Sequence, residues 1–320
     1  MSQAEFQSFL ERHQLPASYL DQAFRHFQPV IDDCRQRLTR SSPIVLGING
    51  CQGSGKSTLA AFLQQVFEHR YALKVVNISL DDFYLSKAAR ANKARDIHPL
   101  LATRGVPGTH DTQLALQTMQ QLLAGKAVAI SRFNKASDDL FPQDAWDESP
   151  EQVDIIILEG WCLGARPVPD AQLFPAINPL EAEHDPDGIW RRYVNAQLQT
   201  DYRKLFALID CLVMLKAPSF DSVFSWRLEQ ENKLAKKLQK KLQKDQKHSE
   251  TSGSSGHNNS GIMSKQEIEH FIQFFERLTR QMLEEMPERA DHCYFLDAQR
   301  QIIHEQHRAS YSNTEDPDIH

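Results

Sequence analysis

With 320 residues, 41% hydrophobic and 24% charged, the chain can bury a sizeable core as one large α/β domain with insertions, or as two domains. A net charge of −6 and a pI near 6.1 argue against a protein that coats nucleic acid or anionic membrane. The cysteines at 34, 51, 162, 211 and 293 form no C-x-x-C pair, so their spacing supplies no zinc site and fits reduced thiols in cytoplasm.

The first residues, MSQAEFQSFLERH, are polar and helical with a Ser2-x-x-Glu5 capping pattern, unlike a signal peptide. No apolar stretch approaches the ~18 residues of a membrane span. Residues 1–40 read as two helices split at Pro16, the second turning Leu20, Phe24, Phe27, Val30 and Ile31 toward a core.

A β-type run then feeds IVLGINGCQGSGKST at 44–58, the phosphate-binding pattern G-x-x-x-x-G-K-S. Glycines let the backbone N–H groups of Gly50, Cys51, Gln52, Gly53, Ser54 and Gly55 turn inward on an anion. The following helix, 56–69, adds the positive end of its dipole. Lys56 is placed to reach β- and γ-phosphates and Ser57 to ligate Mg²⁺, with Thr58 ending the nucleotide-binding run. Leu59, Phe62, Leu63, Val66 and Phe67 mark one helical face, so the turn lies between a strand and a helix as a nucleoside triphosphate site requires.

A second strand, 74–80, runs into SLDDFYLS at 79–86. Small-molecule kinases need a base near the acceptor hydroxyl, and Asp81 or Asp82 can serve, the other capping the next segment. A helix is expected around 86–94. RGVPGTHD at 104–111 gathers Arg104, His110 and Asp111 about a tight turn, with Asp111 equally suited to cap the helix at 111–124. With Arg132 and Lys135 of SRFNKASDD, these residues suit an anionic, hydroxylated substrate.

After an irregular stretch at 131–152, the apolar strand VDIIILEG at 153–160 ends on Glu159, where a Walker-B acid holds Mg²⁺ or its water. A loop with five prolines spans 164–186, a helix 187–208 and a strand 211–216. SWRLEQE then brings Arg227, suited to a basic lid over the phosphates. Within the long helical segment 220–248, the lysine run from Lys233 to Lys247 carries a thin leucine stripe and no aromatics, so it reads as a solvated helix face rather than a nucleic-acid arm. A Ser/Gly/Asn stretch at 251–261 is expected to be flexible. Helix 264–286 opens on a Ser264-x-x-Glu267 capping box, and a last strand at 293–298 precedes a tail, 309–320, expected to be disordered. Strands alternating with helices predict a parallel sheet covered on both faces.

GxxGSGKS, DDFY, RGxPGTHD, RFNK, LEGW and WRLEQE, in this order, resemble the P-loop small-molecule kinases related to uridine kinase, pantothenate kinase and phosphoribulokinase. Within that group the chain is similar to the plant-type D-glycerate 3-kinases, over roughly residues 40–300. The resemblance implies a P-loop NTPase fold with a five-stranded parallel sheet sandwiched by helices and a helical lid. It places the catalytic base at Asp81, the metal-side acid at Glu159 and the lid arginine at Arg227. Asp82, Tyr84, Arg104, His110, Asp111, Arg132 and Lys135 fall on the substrate side by position. The chain then divides into an N-terminal helical extension, 1–40, a kinase domain, 41–308, with lid and insert about 220–262, and the tail.

The reading that results is an ATP- and Mg²⁺-dependent kinase acting on a hydroxyl of a small metabolite, D-glycerate first, with pantothenate or a nucleoside as alternatives. A nucleotide-gated binding protein without transfer activity is the rival. A GTPase switch is unfavoured, because NKAS at 134–137 has Ser137 where a guanine-reading motif needs Asp. No nucleic-acid or membrane partner is expected.

Overall fold

The computed structural model describes residues 3–38, 42–248 and 263–308, so the expected flexible insert, the tail and the Ser2 cap lie outside the described residues. Among the described residues, no helix is long and apolar enough to cross a membrane.

Six strands form the central sheet: β1 (Ile44–Gly50), β2 (Val75–Ser79), β3 (Ile155–Gly160), β4 (Cys211–Lys216), β5 (His292–Leu296) and β6 (Ile302–His307). Their order is β6-β5-β4-β1-β3-β2, parallel from β5 through β2. The expected five parallel strands are all present. The sixth, β6, is antiparallel and returns against β5 through a turn in which Arg300 takes φ 65°. In DAQR only Asp297 is a turn former, accepting from Gln299 N and Gln301 N; no glycine supplies the positive φ, and Arg300 adopts it instead.

β1 lies between β3 and β4, with Ile48 opposite Glu159 and Gly50 opposite Leu215. It is buried at every position, as a central parallel strand should be. Residues alternate between two cores: Ile156 and Leu158 face one, Ile155 and Ile157 the other. Burying each such side chain contributes about 1.5–3 kcal/mol.

The second core is roofed by α1 (Gln3–His13), α2 (Tyr19–Arg37) and α3 (Lys56–Tyr71). Phe9, Tyr19, Phe24 and Phe27 surround Phe62 of α3, so the two N-terminal helices share a core with the helix behind the glycine turn. On the first face lie α5 (Thr112–Leu123) and three short helices, α6 (Pro179–His184), α7 (Ile189–Gln197) and α8 (Asp201–Phe206), while α4 (Lys87–Asp96) packs on the 99–102 turn that sends Leu101 into that core. The expected single helix over 187–208 is thus two, separated at 198–200 where Leu198 is buried and the chain turns. The proline-rich loop before it holds α6, with Pro179 at the first helical position and Asn178 capping.

The helix α9 (Phe220–His248), in the segment expected to form a lid, packs against α10 (Lys265–Glu285). Ser264 and Glu267 cap α10 reciprocally, as the sequence pattern requires.

Candidate active site

β1 ends at the centre of the sheet, and its carboxyl end carries the glycine turn. Gly53 takes φ 80°, and a Cβ there would stand 2.6 Å from Trp226 Cβ on α9. Gly55 takes φ 96° as the N-cap of α3, with open space around the position of an added Cβ. The turn is therefore tight on its lid side and open over the helix N-terminus, where an anion is best held. Cys51 lies buried within it, and burial pushes its thiol up to about 12.

Ser57 Oγ donates to Glu159 Oε1 at 2.8 Å, and Lys56 Nζ stands 3.8 Å from Glu159 Oε2. Glu159 is only 6% exposed, yet its Oε2 has no hydrogen-bond donor. A buried carboxylate oxygen without a donor, beside a hydroxyl and facing an open anion cradle, is the donor set a hard divalent cation takes. The residues present fit Mg²⁺ and a triphosphate.

Across the cleft, β2 ends in a 3₁₀ turn, residues 80–83, capped by Ser79 through Asp81 N. The turn gives its two carboxylates different partners. Asp81 faces the cleft, accepting from Tyr84 OH and Lys135 Nζ, both at 2.7 Å. Burial works to raise its pKa, and Lys135, Lys56 and Tyr84 outweigh it, holding the carboxyl well below the usual range. Asp82 accepts from Arg132 Nη1 at 2.8 Å and from Phe133 N, while Arg132 also grips Asp147. Burial raises the Asp82 pKa, opposed by Arg132. Asp82 and Arg132 thus clamp the 131–147 loop rather than line the cleft, a correction to their expected place beside the substrate.

The turn of RGVPGTHD is held by its own hydroxyl and by neighbours. Gly105 N donates to Thr109 Oγ1 at 2.9 Å, and Trp161 Nε1 donates to Gly105 O at 2.8 Å. That anchoring delivers Arg104 to the cleft, where it pairs with Asp138 and lies 5.5 Å over the Phe133 ring. His110 and Asp111 do not reach it. Asp111 Oδ1 accepts from Leu114 N at 2.9 Å and caps α5. His110 is buried, stacked on Tyr84 at 4.6 Å, with Nδ1 2.6 Å from Tyr202 OH. Burial lowers its pKa to about 4 against the opposing charge of Asp81, so the ring is neutral and meets the cleft by its stack on Tyr84.

Arg227 closes the third side. It pairs with Glu231 and lies 5.6 Å over Phe271, while its buried Nε has no acceptor. The cleft, about 190 Å³, thus joins Gln52, Gly53, Lys56 and Ser57 of the turn with Asp81, Tyr84, Arg104, Lys135, Glu159 and Arg227.

Sequence reasoning passed over several contributors. Trp161, Phe271 and Phe275 form the apolar wall of the cleft, and Gln230 lies beside Arg227. Trp161 directly follows the LEG motif; the two phenylalanines read as ordinary core positions of α10. Arg300, in the unsignalled hairpin turn, donates from Nε to Gly53 O at 2.6 Å and pairs with Glu229 at 2.7 Å. No local pattern foretells it.

Residues 45–165 match the Phosphoribulokinase / Uridine kinase family. The chain is 32% identical over 213 residues to the uncharacterized kinase mug58 of Schizosaccharomyces pombe, covering 64% of this chain and 76% of that protein. It is also 32% identical over 200 residues to the chloroplastic D-glycerate 3-kinase of Arabidopsis thaliana, 59% of this chain but 41% of the plant protein. Among solved structures, D-glycerate 3-kinase from Cryptococcus neoformans var. grubii superposes with a TM-score of 0.69 at 22% identity, over 87% of this chain and 98% of that one.

Proposed function

Because the chain belongs to the phosphoribulokinase/uridine kinase family, whose P-loop kinases use ATP with Mg²⁺, we propose that it transfers the γ-phosphoryl of ATP to the 3-hydroxyl of D-glycerate. One observation carries the acceptor class. Asp81 lies in the same cleft as Lys56 and Ser57, and three cations, Arg104, Lys135 and Arg227, share that cleft. A small alcohol bearing a carboxylate satisfies such a wall. The 32% identity to the plant D-glycerate 3-kinase supports the choice within that class.

In this reading the glycine turn and Lys56 hold the β- and γ-phosphates, with Ser57 and Glu159 at the metal. Bound Mg²⁺ supplies charge neutralisation at the phosphate oxygens. Asp81 accepts a hydrogen bond from the acceptor hydroxyl and aims its oxygen along the line of transfer. A carboxylate as acidic as Asp81 is a weak proton acceptor. The loose transition state of phosphoryl transfer asks chiefly for alignment, and the hydroxyl proton passes to Asp81 as the new P–O bond forms. Lys135 then exchanges part of its contact with Asp81 for the substrate carboxylate. Arg227 offsets charge on the transferring group, its unpartnered Nε being free to donate. The chain acts on a small molecule, and its five free cysteines accord with a cytoplasmic setting.

A coupled ADP-release assay over D-glycerate, pantothenate, uridine and ribulose 5-phosphate tests the proposal. Glycerate should give the largest kcat/KM. Strong turnover on another of the four, with none on glycerate, would replace the acceptor and keep the kinase. No turnover on any would favour a nucleotide-gated binder.

A further inference from the structure

The carboxyl ends of the strands hold the cleft; the amino ends hold a second cluster. Cys211 opens β4, His292 opens β5, and both face Asp33 of α2. Cys211 Sγ, His292 Nε2 and a carboxylate oxygen of Asp33 all lie within 4.8 Å of one another. Cys211 and His292 are buried and Asp33 is half-buried. Asp33 Oδ2 is 3.5 Å from Cys211 Sγ and 3.2 Å from His292 Nε2. A tetrahedral zinc ion with bonds of ~2.3 Å to sulfur and ~2.0 Å to nitrogen and oxygen needs ligand edges of about 3.5 and 3.3 Å. The two edges that meet at Asp33 Oδ2 match these lengths, and the edge from Cys211 to His292 lies within 4.8 Å.

We propose that Cys211 Sγ, His292 Nε2 and Asp33 Oδ2 form a binding site for a zinc-class divalent cation, with solvent in the fourth position. Thiolate and imidazole donors select such an ion over Mg²⁺.

Surrounding hydrogen bonds orient Asp33 and His292. Arg37 Nε donates to the other Asp33 oxygen at 2.8 Å, and its Nη2 reaches Oδ2 at 3.0 Å. His292 Nδ1 lies 2.9 Å from His307 Nδ1, and His307 Nε2 lies 3.1 Å from Glu305 Oε2. A ring metallated at Nε2 carries its proton on Nδ1 and donates it to His307, which donates from Nε2 to Glu305. Every proton along that path has an acceptor, the arrangement that fixes a metal-bound histidine.

The rival state is a cation-free ion-pair network. In it the same path is satisfied when His292 and His307 share three protons over their four ring nitrogens, beside a neutral Cys211 thiol. Binding the cation releases two protons to solvent, one from the thiol and one from His292 Nε2, with no change of oxidation state. Two positive charges arrive as two leave, so the formal charge beside Arg37 is unchanged. The cation would join α2 to two strands of the core, from positions 33, 211 and 292.

The test uses full-length protein stripped with chelator and titrated with Co²⁺ in excess Mg²⁺, which occupies oxygen-only sites. We expect a near-ultraviolet thiolate-to-cobalt band that saturates at one equivalent and is discharged by Zn²⁺. Cys211→Ser should abolish the band, and Asp33→Asn should weaken Co²⁺ binding at least 10-fold. His307→Leu, which removes no ligand, should weaken it about 10–100-fold. Melting curves confirm that each variant is folded. Absence of the band in folded wild type overturns the proposal, and so does a band that survives Cys211→Ser. Neither result depends on which metabolite the kinase phosphorylates.

Discussion

The nucleotide side of the cleft takes Gln52, Gly53, Lys56 and Ser57 from a single turn, whereas the acceptor side closes Asp81 against Lys135, 54 residues away. The first wall is backbone, shaped by positive φ at Gly53 and Gly55 and by burial of β1. The second is side chain against side chain, with Asp81, Lys135, Arg104 and Asp138 paired across loops. A wall of backbone is set once its strand is placed. A wall of ion pairs can re-partner, and an incoming carboxylate gives it reason to.

Asp81→Asn probes the difference most sharply, because it keeps shape and removes charge. On the proposed roles, kcat falls about 10²–10⁴-fold while ATP affinity is retained, measured by steady-state kinetics and nucleotide titration. Asp82→Asn, one residue away, should leave kcat within about tenfold and instead destabilise the fold by about 1–3 kcal/mol, because its charge clamps Arg132. Equal kinetic losses in the two variants would erase the distinction between them.

His110 tests whether the acceptor wall rests on a neutral buried ring. Its folded pKa of about 4 lies below the ordinary 6.5, so the unfolded chain takes up the proton first. Stability from this group is whole above pH 6.5 and declines as pH falls toward 4, by about 3 kcal/mol in total. His110→Gln should flatten that decline in denaturant-unfolding midpoints measured from pH 7 to pH 4. An unchanged slope would show that the ring is not held neutral.

Lys135→Ala separates the walls through KM. Its side chain is 61% exposed, so its pairing with Asp81 adds little to stability. Loss of the cation should raise the KM for glycerate about tenfold, roughly one charge-assisted hydrogen bond, with the KM for ATP unchanged. A parallel rise in both would place Lys135 on the phosphates instead.

How far each wall was legible in the sequence follows from how it is built. The glycine turn and Glu159 are local patterns, a strand, a loop and a helix in 15 residues and an acid ending an apolar run, and they stand where the pattern put them. Asp81 and Asp82 are equivalent in sequence; only the 3₁₀ turn after β2 decides which faces inward. Arg132 reads as a substrate cation because nothing local reveals its partner Asp147, 15 residues on. The hairpin that carries Arg300 onto Gly53 has Asp297 as its one turn former and no glycine, and its strand β6 leaves Ile303 67% exposed, so no apolar alternation announces it.

Asp111 is the smallest case and the cleanest control. Sequence leaves it equally suited to substrate or to helix cap, and its oxygen accepts from Leu114 N at the start of α5. A cap of this kind contributes about 1 kcal/mol and nothing to chemistry. Asp111→Ala should therefore lower the melting temperature by a few degrees and leave both KM values and kcat within twofold. Asp111→Ser, which restores an accepting oxygen, should recover most of the loss. Were glycerate KM to rise in Asp111→Ala and stay raised in Asp111→Ser, the residue would touch substrate. The acceptor wall would then extend from Arg104 through the whole RGVPGTHD turn rather than stop at its first residue.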